Sequence, residues 1–339
     1  MRATIKDVAK AAGVSPTTVS FVINNKPVSI SEVTKARVYK AIKDLNYHPN
    51  QLAVSLVTKS TNTIGMIVPS VANPFHANLS HKIRELFLRR NILAITGTTD
   101  YNGDIMATYL RSFEDRNVDG LILSQLDFES KEDYEMCRKI ITESGLPVVF
   151  YGRDTLGSND FSSVSVDQVQ IGYLATRHLI LLGHKRIACA AGNMDLDVCR
   201  LRYEGYQKAL QEAGIPEEPG LVFNGDFSIE SGENALPYLL GLNATAIFAF
   251  SDMIAYGIYK QCKSYNISIP DDLSVVGVDD LEFSEIINPP LTTIAQPMDL
   301  IAHSLVNTML KELKDSSTHS QEVVHTFLKV RGSTAGCRR

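Results

Sequence analysis

The chain has 339 residues, of which 44% are apolar and 21% charged, with a net charge of −5, a composition typical of soluble globular proteins. This length exceeds what one hydrophobic core usually serves, so we expect two or more domains. No apolar run is long enough to span a membrane and no signal peptide is recognisable, which excludes membrane-spanning and secreted classes and predicts a cytoplasmic protein. The five scattered cysteines, without a CxxC pair, predict reduced thiols.

The charge is unevenly distributed along the chain. Residues 1–60 contain nine lysines and arginines and three acidic residues, so they carry +6 while the remainder carries −11. A basic N-terminal segment on an acidic body indicates a polyanionic partner that binds this segment alone. The alternative at this point is a basic helix pair whose charges face only solvent and bind no polyanion.

The stretch from Thr4 to Asn25 predicts two short helices joined by a tight turn. Thr4 is placed to cap the first helix and Ser15 the second, while Gly13 suits a left-handed residue at a helix end. Pro16 suits the first position of the second helix. The apolar face of the first helix is formed by Ile5, Val8, Ala9 and Ala12.

The second helix has an apolar side and a side of small hydrogen-bonding residues. Val19, Val22 and Ile23 form the apolar side. The opposite side carries Thr17, Ser20, Phe21 and Asn24, with Thr18 at the edge. This pattern is typical of a recognition helix, which lies in the major groove and contacts base edges. A helical hairpin that only packs on a larger domain is the alternative.

Two further segments complete the N-terminal region. Ser31 predicts the cap of a third helix, whose apolar face is formed by Val38, Ala41, Ile42 and Leu45. In residues 49–60, Leu52, Ala53, Leu56 and Val57 form an apolar stripe at helical spacing. The helical segment in this linker would have roughly eight residues, which is too few for an isolated helix in water, so we expect it to fold only with a partner.

Short apolar runs alternate with amphipathic helical stretches after Thr63, which predicts parallel sheets covered by helices on both faces. The predicted strands are Ile64–Val68, Leu93–Thr96, Leu121–Ser124, Val148–Tyr151, Ile187–Ala191, Ala246–Phe250 and Val275–Val278. The predicted helices are Phe75–Asn91, Asp104–Asn117, Lys131–Ser144, Gln168–Leu182, Arg200–Ala213 and Met253–Tyr265. The repetition predicts two doubly wound lobes, with a ligand cleft beyond the carboxyl ends of the strands.

No catalytic motif is found in the sequence. GxSxG, HExxH, a Walker A loop and GxGxxG after a strand are all missing, and the eight histidines lack metal-ligand spacing. Asp279 and Asp280 are adjacent at a strand end and should point apart. We therefore expect no enzyme activity, no metal and no cofactor.

Several stretches in order resemble the lactose-repressor (lactose, galactose and purine repressor) family of transcription regulators. They are TIKDVAKAAGVS, TVSFVIN, NYHPN, AVSL, TIGMIVP, NPF, HLILLGHKRIA, RLRYEGYQKALQEAGI, SVVGVDD, PPLTTIAQP and VRGST. The resemblance covers nearly the whole chain. It implies an all-α helix-turn-helix headpiece (1–48) and a hinge helix (49–60). It also implies a periplasmic-binding-protein-like α/β effector domain with N-terminal (61–162, 294–323) and C-terminal (163–293, 324–339) lobes.

The resemblance implies a set of residues that bind double-stranded operator DNA. They are Thr4, Ser15, Thr17, Thr18, Ser20, Phe21, Asn24, Asn25, Ala53 and Leu56. Leu56 matches a leucine that inserts into the minor groove and kinks the duplex, although it could instead only pack the linker on the effector domain. Phe21 replaces the usual arginine or histidine, so we expect an apolar contact, such as one with a thymine methyl. Val54 stands where the family usually has an arginine, so we expect a weaker electrostatic attraction between the hinge and the DNA backbone.

The resemblance also implies a small-molecule effector, a sugar, bound in the cleft. The matching residues are Asn73, Phe75, His76, Arg153, Arg202, Ser251, Asp279 and Gln296. His76 replaces a commoner aromatic residue, Gly152 a frequent aspartate and Ser251 the usual asparagine, so the identity of the ligand is open. A structural ion pair or helix cap is the alternative role for Arg202 and Asp279.

The implied function is that of a repressor of a carbohydrate-utilisation operon, acting at the nucleoid on a palindromic operator. Because no apolar heptad tail follows Lys329, we expect a homodimer without the tetramerising helix of some relatives. Control by a purine-type corepressor or by a phosphocarrier co-regulator protein remains open. A sugar-binding transport protein would explain the two lobes but not the N-terminal helices.

Overall fold

The computed structural model describes residues 3–24, 28–48, 60–124, 131–152 and 160–338. The chain divides into two units, Met1–Thr61 and Asn62–Arg339. The first unit contains helices α1 (Ile5–Ala12), α2 (Pro16–Ile23) and α3 (Glu32–Asp44). The predicted contacts of Asn25, Ala53 and Leu56 with DNA lie outside the described residues, and so do residues 49–59 of the predicted hinge at 49–60.

The starts of all three helices are confirmed. Thr4 and Asp7 form a capping box, in which Asp7 N donates to Thr4 Oγ1 at 3.4 Å and Thr4 N donates to Asp7 Oδ2 at 2.8 Å. Gly13 adopts φ +63° at the end of α1, and Ser15 Oγ accepts from Thr18 N at 3.1 Å at the start of α2. Ser31 caps α3 in the same way, through Thr34 N at 3.2 Å.

A small apolar core holds the three helices together, with Val8, Val19, Val22 and Val38 buried in it. The apolar face predicted for α3 is correct except at its end. Leu45 is the C-cap residue of α3 and is 37% exposed, because the helix ends before that position can face the core.

The second unit contains two six-stranded sheets. The strands of the first are β1 (Thr63–Val68), β2 (Leu93–Thr98), β3 (Gly120–Ser124), β4 (Val148–Tyr151), β5 (Ser162–Val166) and β11 (Gln321–Val324). Those of the second are β6 (Ile187–Ala191), β7 (Val222–Asn224), β8 (Ala246–Ala249), β9 (Ser274–Asp279), β10 (Thr292–Ala295) and β12 (Phe327–Lys329). The strand orders are β11-β5-β4-β3-β1-β2 and β12-β10-β9-β8-β6-β7, and the β10–β12 pair alone is antiparallel among these strands.

Helices cover both sheets. They are α4 (Pro74–Leu88), α5 (Gly103–Asp115), α6 (Lys131–Ser144), α7 (Gln168–Leu181), α8 (Asp197–Glu212), α9 (Ile229–Gly241), α10 (Asp252–Ser264), α11 (Phe283–Ile286) and α12 (Met298–Glu312), with a 3₁₀ turn at Pro219–Leu221. Helix α4 packs on α12, α5 on α6, α7 on α8 and α9 on α10. No helix in the described ranges is long and apolar enough to cross a membrane.

Every strand and helix predicted from Thr63 onward is present, with bounds within three residues. Eight elements were not predicted: β5, β7, β10, β11, β12, α9, α11 and α12. Strand β5 has the sequence SSVSV, which is fully buried although three of its five residues are serine. Helix α9 contains Pro237, a residue that weighs against a helix interior. The remaining missed strands have three or four residues, too few for a recognisable period.

The chain passes between the two lobes three times, after β5, after β10 and between β11 and β12. These passages lie at residue 167, residues 296–297 and residues 325–326. The predicted crossovers near Ser162, Thr293 and Val323 differ from them by two to five residues. Strand β5 pairs with β4, and β10 pairs with β9. The lobe to which a strand belongs is therefore decided by the strand to which it is hydrogen-bonded, and the local sequence pattern does not show this partner.

Helices α7 and α8 touch backbone to backbone. A Cβ atom at Gly172 would lie 1.9 Å from the carbonyl oxygen of Arg202, and one at Gly205 would lie 2.0 Å from that of Val169. Glycine at these two positions therefore permits the close crossing of the helices. The crossing brings the side chain of Arg202 beside Gln168, the first residue of α7.

Candidate functional site

A cleft lies between the two lobes, at the carboxyl ends of their strands, and its empty space, including the open mouth, is about 710 Å³. Seven of the eight predicted ligand residues line it: Asn73, Phe75, His76, Arg202, Ser251, Asp279 and Gln296. Arg153, the eighth, lies outside the described residues. The cleft therefore brings together predicted ligand residues that are up to 223 positions apart in the chain, from Asn73 to Gln296.

The start of α4 forms part of the N-terminal-lobe wall. Asn73 Oδ1 accepts a hydrogen bond from Phe75 N at 2.9 Å and caps the helix. This cap directs Phe75 and His76 toward the cleft, and their rings meet edge to face with centroids 5.4 Å apart. The ring of Tyr151, at the end of β4, lies 5.9 Å from that of Phe75. These rings give the wall an apolar surface with polar edges.

Arg202 forms the charged part of the C-terminal-lobe wall and is only 4% exposed. Its Nε donates to Gln168 Oε1 at 2.9 Å, and its Nη1 donates to the carbonyl oxygen of Phe250. The protein thus fixes the guanidinium by two bonds while the side chain lines the cleft. These partners are an amide oxygen and a backbone carbonyl oxygen, and among the described residues Arg202 forms neither the ion pair nor the helix cap given as its alternative role. Its contact with a ligand stays a prediction.

A chain of hydrogen bonds joins the lobes across the cleft. The hydroxyl of Tyr151 donates to Gln296 Oε1 at 3.1 Å, and Gln296 Nε2 donates to Asp279 Oδ1 at 2.7 Å. Burial raises the pKa of Asp279, assisted by the carboxylate of Asp252 and opposed by Arg202. Burial also raises the pKa of Tyr151, so its phenol stays protonated and remains a donor. A ligand that bonds to Asp279 or Gln296 would compete with this link between lobes.

Two pairs of adjacent residues adopt left-handed backbone conformations next to the cleft. Asp279 and Asp280 have φ +112° and +59° after β9, and Asp100 and Tyr101 have φ +47° and +61° after β2. Such conformations are uncommon outside glycine and concentrate at functional sites. Asp279 and Tyr101 line the cleft, whereas Asp280 turns away and bonds to Arg331 at 2.5 Å, so the adjacent aspartates point apart as predicted.

The end of β9 is held in place by a buried carboxylate. Asp252 is fully buried and accepts from Leu281 N at 2.9 Å, Ser284 Oγ at 2.6 Å and Thr293 Oγ1 at 2.7 Å. Ser251 caps α10 by accepting from Ile254 N at 3.2 Å. These bonds make Asp252 a structural residue that positions Asp279 beside the cleft.

Sequence reasoning did not single out several lining residues, notably Tyr101, Tyr151, Gln168, Val198 and Phe227. Tyr151 ends a predicted strand and Tyr101 lies in a loop expected at the cleft, so the strand-end rule pointed to both. Phe227 follows β7, which was not predicted, and no local signal identifies it. In the described part of the chain no cluster of histidine, cysteine and carboxylate side chains is suited to hold a metal ion.

The N-terminal unit presents the other candidate interface, on α2. Val19 and Val22 are buried, Thr17 and Asn24 are exposed, and Thr18, Ser20 and Phe21 are partly exposed. Asn24 Nδ2 donates to the Ser20 carbonyl oxygen at 2.9 Å, so one of the donors of this amide is used within the helix. Thr4 and Ser15 are exposed but use their hydroxyls as helix caps.

Comparison with known proteins agrees with this architecture. Residues 4–50 match the family of bacterial regulatory proteins called the lacI family, and residues 176–334 match a periplasmic binding protein-like domain. Over 317 residues the chain is 35% identical to the HTH-type transcriptional repressor PurR of Aliivibrio salmonicida, covering 92% of this chain and 93% of the relative. Over 335 residues it is 35% identical to the ribose operon repressor of Escherichia coli, covering 98% and 99%.

Solved structures show the same similarity. The Lac repressor dimer bound to operator and the anti-inducer ONPF has a TM-score of 0.87 at 27% identity, covering 99% of this chain and all of that one. A LacI family regulator from Enterococcus faecium with bound ribose has a TM-score of 0.73 at 28% identity, covering 81% and 100%. These matches define a two-lobed regulator with an N-terminal helix-turn-helix. The chain belongs to the lacI family of bacterial transcription regulators, which confirms the family and fold predicted from the sequence.

Proposed function

We propose that the chain is a sequence-specific repressor that binds a pseudo-palindromic operator as a homodimer and is controlled by a sugar in the cleft. The observation that carries the proposal is the composition of the cleft wall. Phe75, Tyr101, Tyr151 and Phe227 offer ring surfaces, and polar groups lie between them. Rings that stack on the apolar faces of a sugar, with polar groups for its hydroxyls, are what such a ligand needs.

The charges in the cleft favour an uncharged ligand. Among the described lining residues the charged side chains are Arg202 and Asp279. Arg202 already bonds to Gln168 and Phe250, and the raised pKa of Asp279 favours its neutral form. A phosphorylated ligand usually requires more cationic donors than this set supplies.

In the proposed complex with DNA, α2 lies in the major groove. Thr17, Thr18, Ser20, Phe21 and Asn24 are the residues that contact base edges, while backbone N–H groups and lysines hold phosphates. The exposure of the polar side of α2, together with burial of Val19 and Val22, supports this role.

Exposed apolar surface supports the homodimer. Strand β2 is an edge strand, and its Leu93 and Ile95 are 59% and 43% exposed. In the C-terminal lobe Phe283 and Ile286 of α11 are 61% and 70% exposed. Edge strands with apolar side chains invite pairing with another chain, so burial in a dimer explains why they persist. The solved Lac repressor neighbour is itself a dimer on operator DNA.

Control follows from the link between the lobes. A sugar bonded to Asp279 and Gln296 would replace the Tyr151–Gln296–Asp279 chain of hydrogen bonds and thereby change the relative angle of the lobes. That change would alter the spacing of the two hinge segments at 49–60 in a dimer. A ligand shifts DNA affinity only as far as it prefers one arrangement, typically by ~1–3 kcal/mol of coupling.

The first test has two parts. DNA retained by the full chain is selected from a random duplex library, and thermal unfolding is measured with monosaccharides, disaccharides, sugar phosphates and purine bases. A ligand at a hundred times its dissociation constant adds ~2.7 kcal/mol to stability, which is a visible shift. We expect two inverted half-sites in the selected DNA and at least one uncharged sugar that changes DNA retention.

Each contrary result removes a distinct part of the proposal. Selected DNA with one half-site would remove the dimer, and failure to select any sequence would remove DNA recognition. If DNA is recognised but no compound on the panel binds, the sugar effector is wrong and a phosphocarrier-type protein co-regulator becomes the better explanation. A purine base that strengthens DNA retention would make the chain a corepressor-controlled regulator.

A further inference from the structure

His76 presents an unusual atom to the cleft. Its Nδ1 is buried and has no hydrogen-bond partner among the described residues. Four side-chain atoms of the described residues share that condition, the others being Ser80 Oγ, Thr176 Oγ1 and Thr326 Oγ1. His76 is the one of these four residues that lines the cleft. A buried polar atom without a partner is unfavourable, so a partner supplied by a bound ligand is the simplest account of its retention.

The ring of His76 is held in position by its neighbours. It lies in the first turn of α4, which the Asn73 cap fixes, and it packs edge to face on the buried ring of Phe75. The orientation of Nδ1 is therefore set before a ligand arrives. A preset donor or acceptor contributes more to specificity than a mobile one, because less conformational freedom is lost on binding.

The imidazole is neutral under ordinary conditions. Burial and the positive charge of Arg202 lower the pKa of His76 to about 4. A neutral imidazole has one donor and one acceptor nitrogen, and either can be Nδ1. A hydroxyl group both donates and accepts, so it satisfies Nδ1 in either tautomer. A methylene group or the face of a ring would leave Nδ1 unpaired.

We propose that His76 is a specificity-determining residue, whose Nδ1 bonds directly to one hydroxyl of an uncharged polyhydroxylated ligand. This inference rests on the proposed function, since it assigns a role within the same cleft. It accounts for a histidine beside Phe75, at the position where the family more commonly has another aromatic residue. The bond selects among sugars that differ at a single carbon.

Three substitutions separate the two ring nitrogens. H76F keeps a ring for packing on Phe75 but removes both nitrogens. H76N places an amide close to the position of Nδ1, and H76Q places one close to that of Nε2. His81, an exposed histidine on the same helix, provides the matched control H81F. Because Nδ1 is unpaired without ligand, we expect H76F to unfold at the same temperature as the unsubstituted protein or higher.

The test compares each variant by isothermal titration. The probes are the best-binding uncharged sugar from the thermal panel and the complete set of its monodeoxy analogues. H76F and H76Q should bind the sugar about 10-fold more weakly, equivalent to about 1.4 kcal/mol. H76N should stay within about 3-fold and H81F should not change, since His81 is not among the residues that line the cleft. One deoxy analogue should bind the unsubstituted protein about 10-fold more weakly, with no further loss in H76F, because both changes remove the same bond.

The outcomes distinguish this inference from the function on which it rests. If H76F binds the sugar and every analogue as tightly as the unsubstituted protein does, the role of His76 is wrong while sugar control stands. The same conclusion follows if the affinity lost in H76F adds to the affinity lost with every deoxy analogue. A purine base or a sugar phosphate as the tightest ligand would overturn the proposed ligand class. If no panel member binds the unsubstituted protein, the sugar effector itself fails and this inference fails with it. Should H76F not fold, the comparison of H76N with H76Q decides the point.

Discussion

Replacing Arg202 by alanine should uncouple ligand response from DNA binding and also destabilise the effector domain. The side chain donates to Gln168 Oε1 and to the carbonyl oxygen of Phe250, and both acceptors lose their donor in the variant. A buried acceptor without a partner costs about 1–3 kcal/mol. Because water entering the open cleft can reach Gln168, we expect a total near the lower end, about 2–4 kcal/mol. For a domain of this size that lowers the melting temperature by roughly 5–15 °C.

The assay combines thermal unfolding, ligand-induced thermal shift and DNA retention, the last measured well below the melting temperature. The matched control is Arg200→Ala on the same helix, where an exposed arginine pairs with Asp197. Exposed ion pairs contribute about 0–1 kcal/mol, so the control should shift the melting temperature little. We expect Arg202→Ala to lose the ligand shift and keep DNA retention, since the residues predicted to contact DNA belong to the other structural unit.

Two results would contradict this reasoning. Equal melting temperatures for the Arg202 and Arg200 variants would show that the two buried bonds contribute nothing. Loss of DNA retention with a preserved ligand shift would show that Arg202 serves the DNA-binding unit instead of the cleft. Arg202→Lys keeps the positive charge but loses the planar guanidinium that reaches both acceptors. This variant therefore separates the effect of the charge from that of the hydrogen-bond geometry.

Four further predictions follow from particular contacts. Gly205→Ala should destabilise the second unit by about 1–3 kcal/mol, because its Cβ would lie 2.0 Å from the Val169 carbonyl oxygen, and urea unfolding that matches the unsubstituted protein would refute it. Asp279 has a pKa raised above its ordinary value of 3.8, so the folded protein holds this proton more tightly and loses stability as pH rises through the raised pKa. Asp279→Asn should reduce that loss between about pH 4 and about pH 8, and an identical decline in both proteins would exclude the effect. Uracil in place of thymine in the selected half-site should weaken binding at one position if Phe21 contacts a methyl group, and indifference at every thymine would remove that contact. Ser15→Ala should lower the stability of the N-terminal unit by about 1 kcal/mol, because Thr18 N loses its acceptor, and an unchanged unfolding midpoint for that unit would contradict the observed cap.

The sequence predicted the local elements well because their causes are local. The Thr4–Asp7 capping box, the left-handed Gly13 and the Ser15 cap each depend on residues within four positions. Alternation of apolar runs with amphipathic stretches likewise predicted the parallel sheets. Where local preference conflicted with the fold, the prediction failed, as for the serine-rich buried strand β5 and for α9 with its internal Pro237.

The residues of the cleft were partly accessible to sequence reasoning. Family resemblance pointed to Arg202, Asp279 and Gln296, and the structure places all three on the cleft wall. Their contacts with a ligand that controls DNA binding stay predictions. Phe227 had no signal at all, because it follows a three-residue strand that no periodic pattern reveals.

The sequence by itself determined the helix-turn-helix, the hydrophobic periods and the class of fold, since each arises from neighbours along the chain. Only the tertiary structure decided which strands share a sheet, how Tyr151 reaches Gln296 from 145 residues away, and that His76 Nδ1 has no partner among the described residues. It also showed that Arg202 reaches the cleft because Gly172 and Gly205 let two helices touch. These features depend on hydrogen-bond and packing partners distant in sequence, and a local pattern carries no information about such partners.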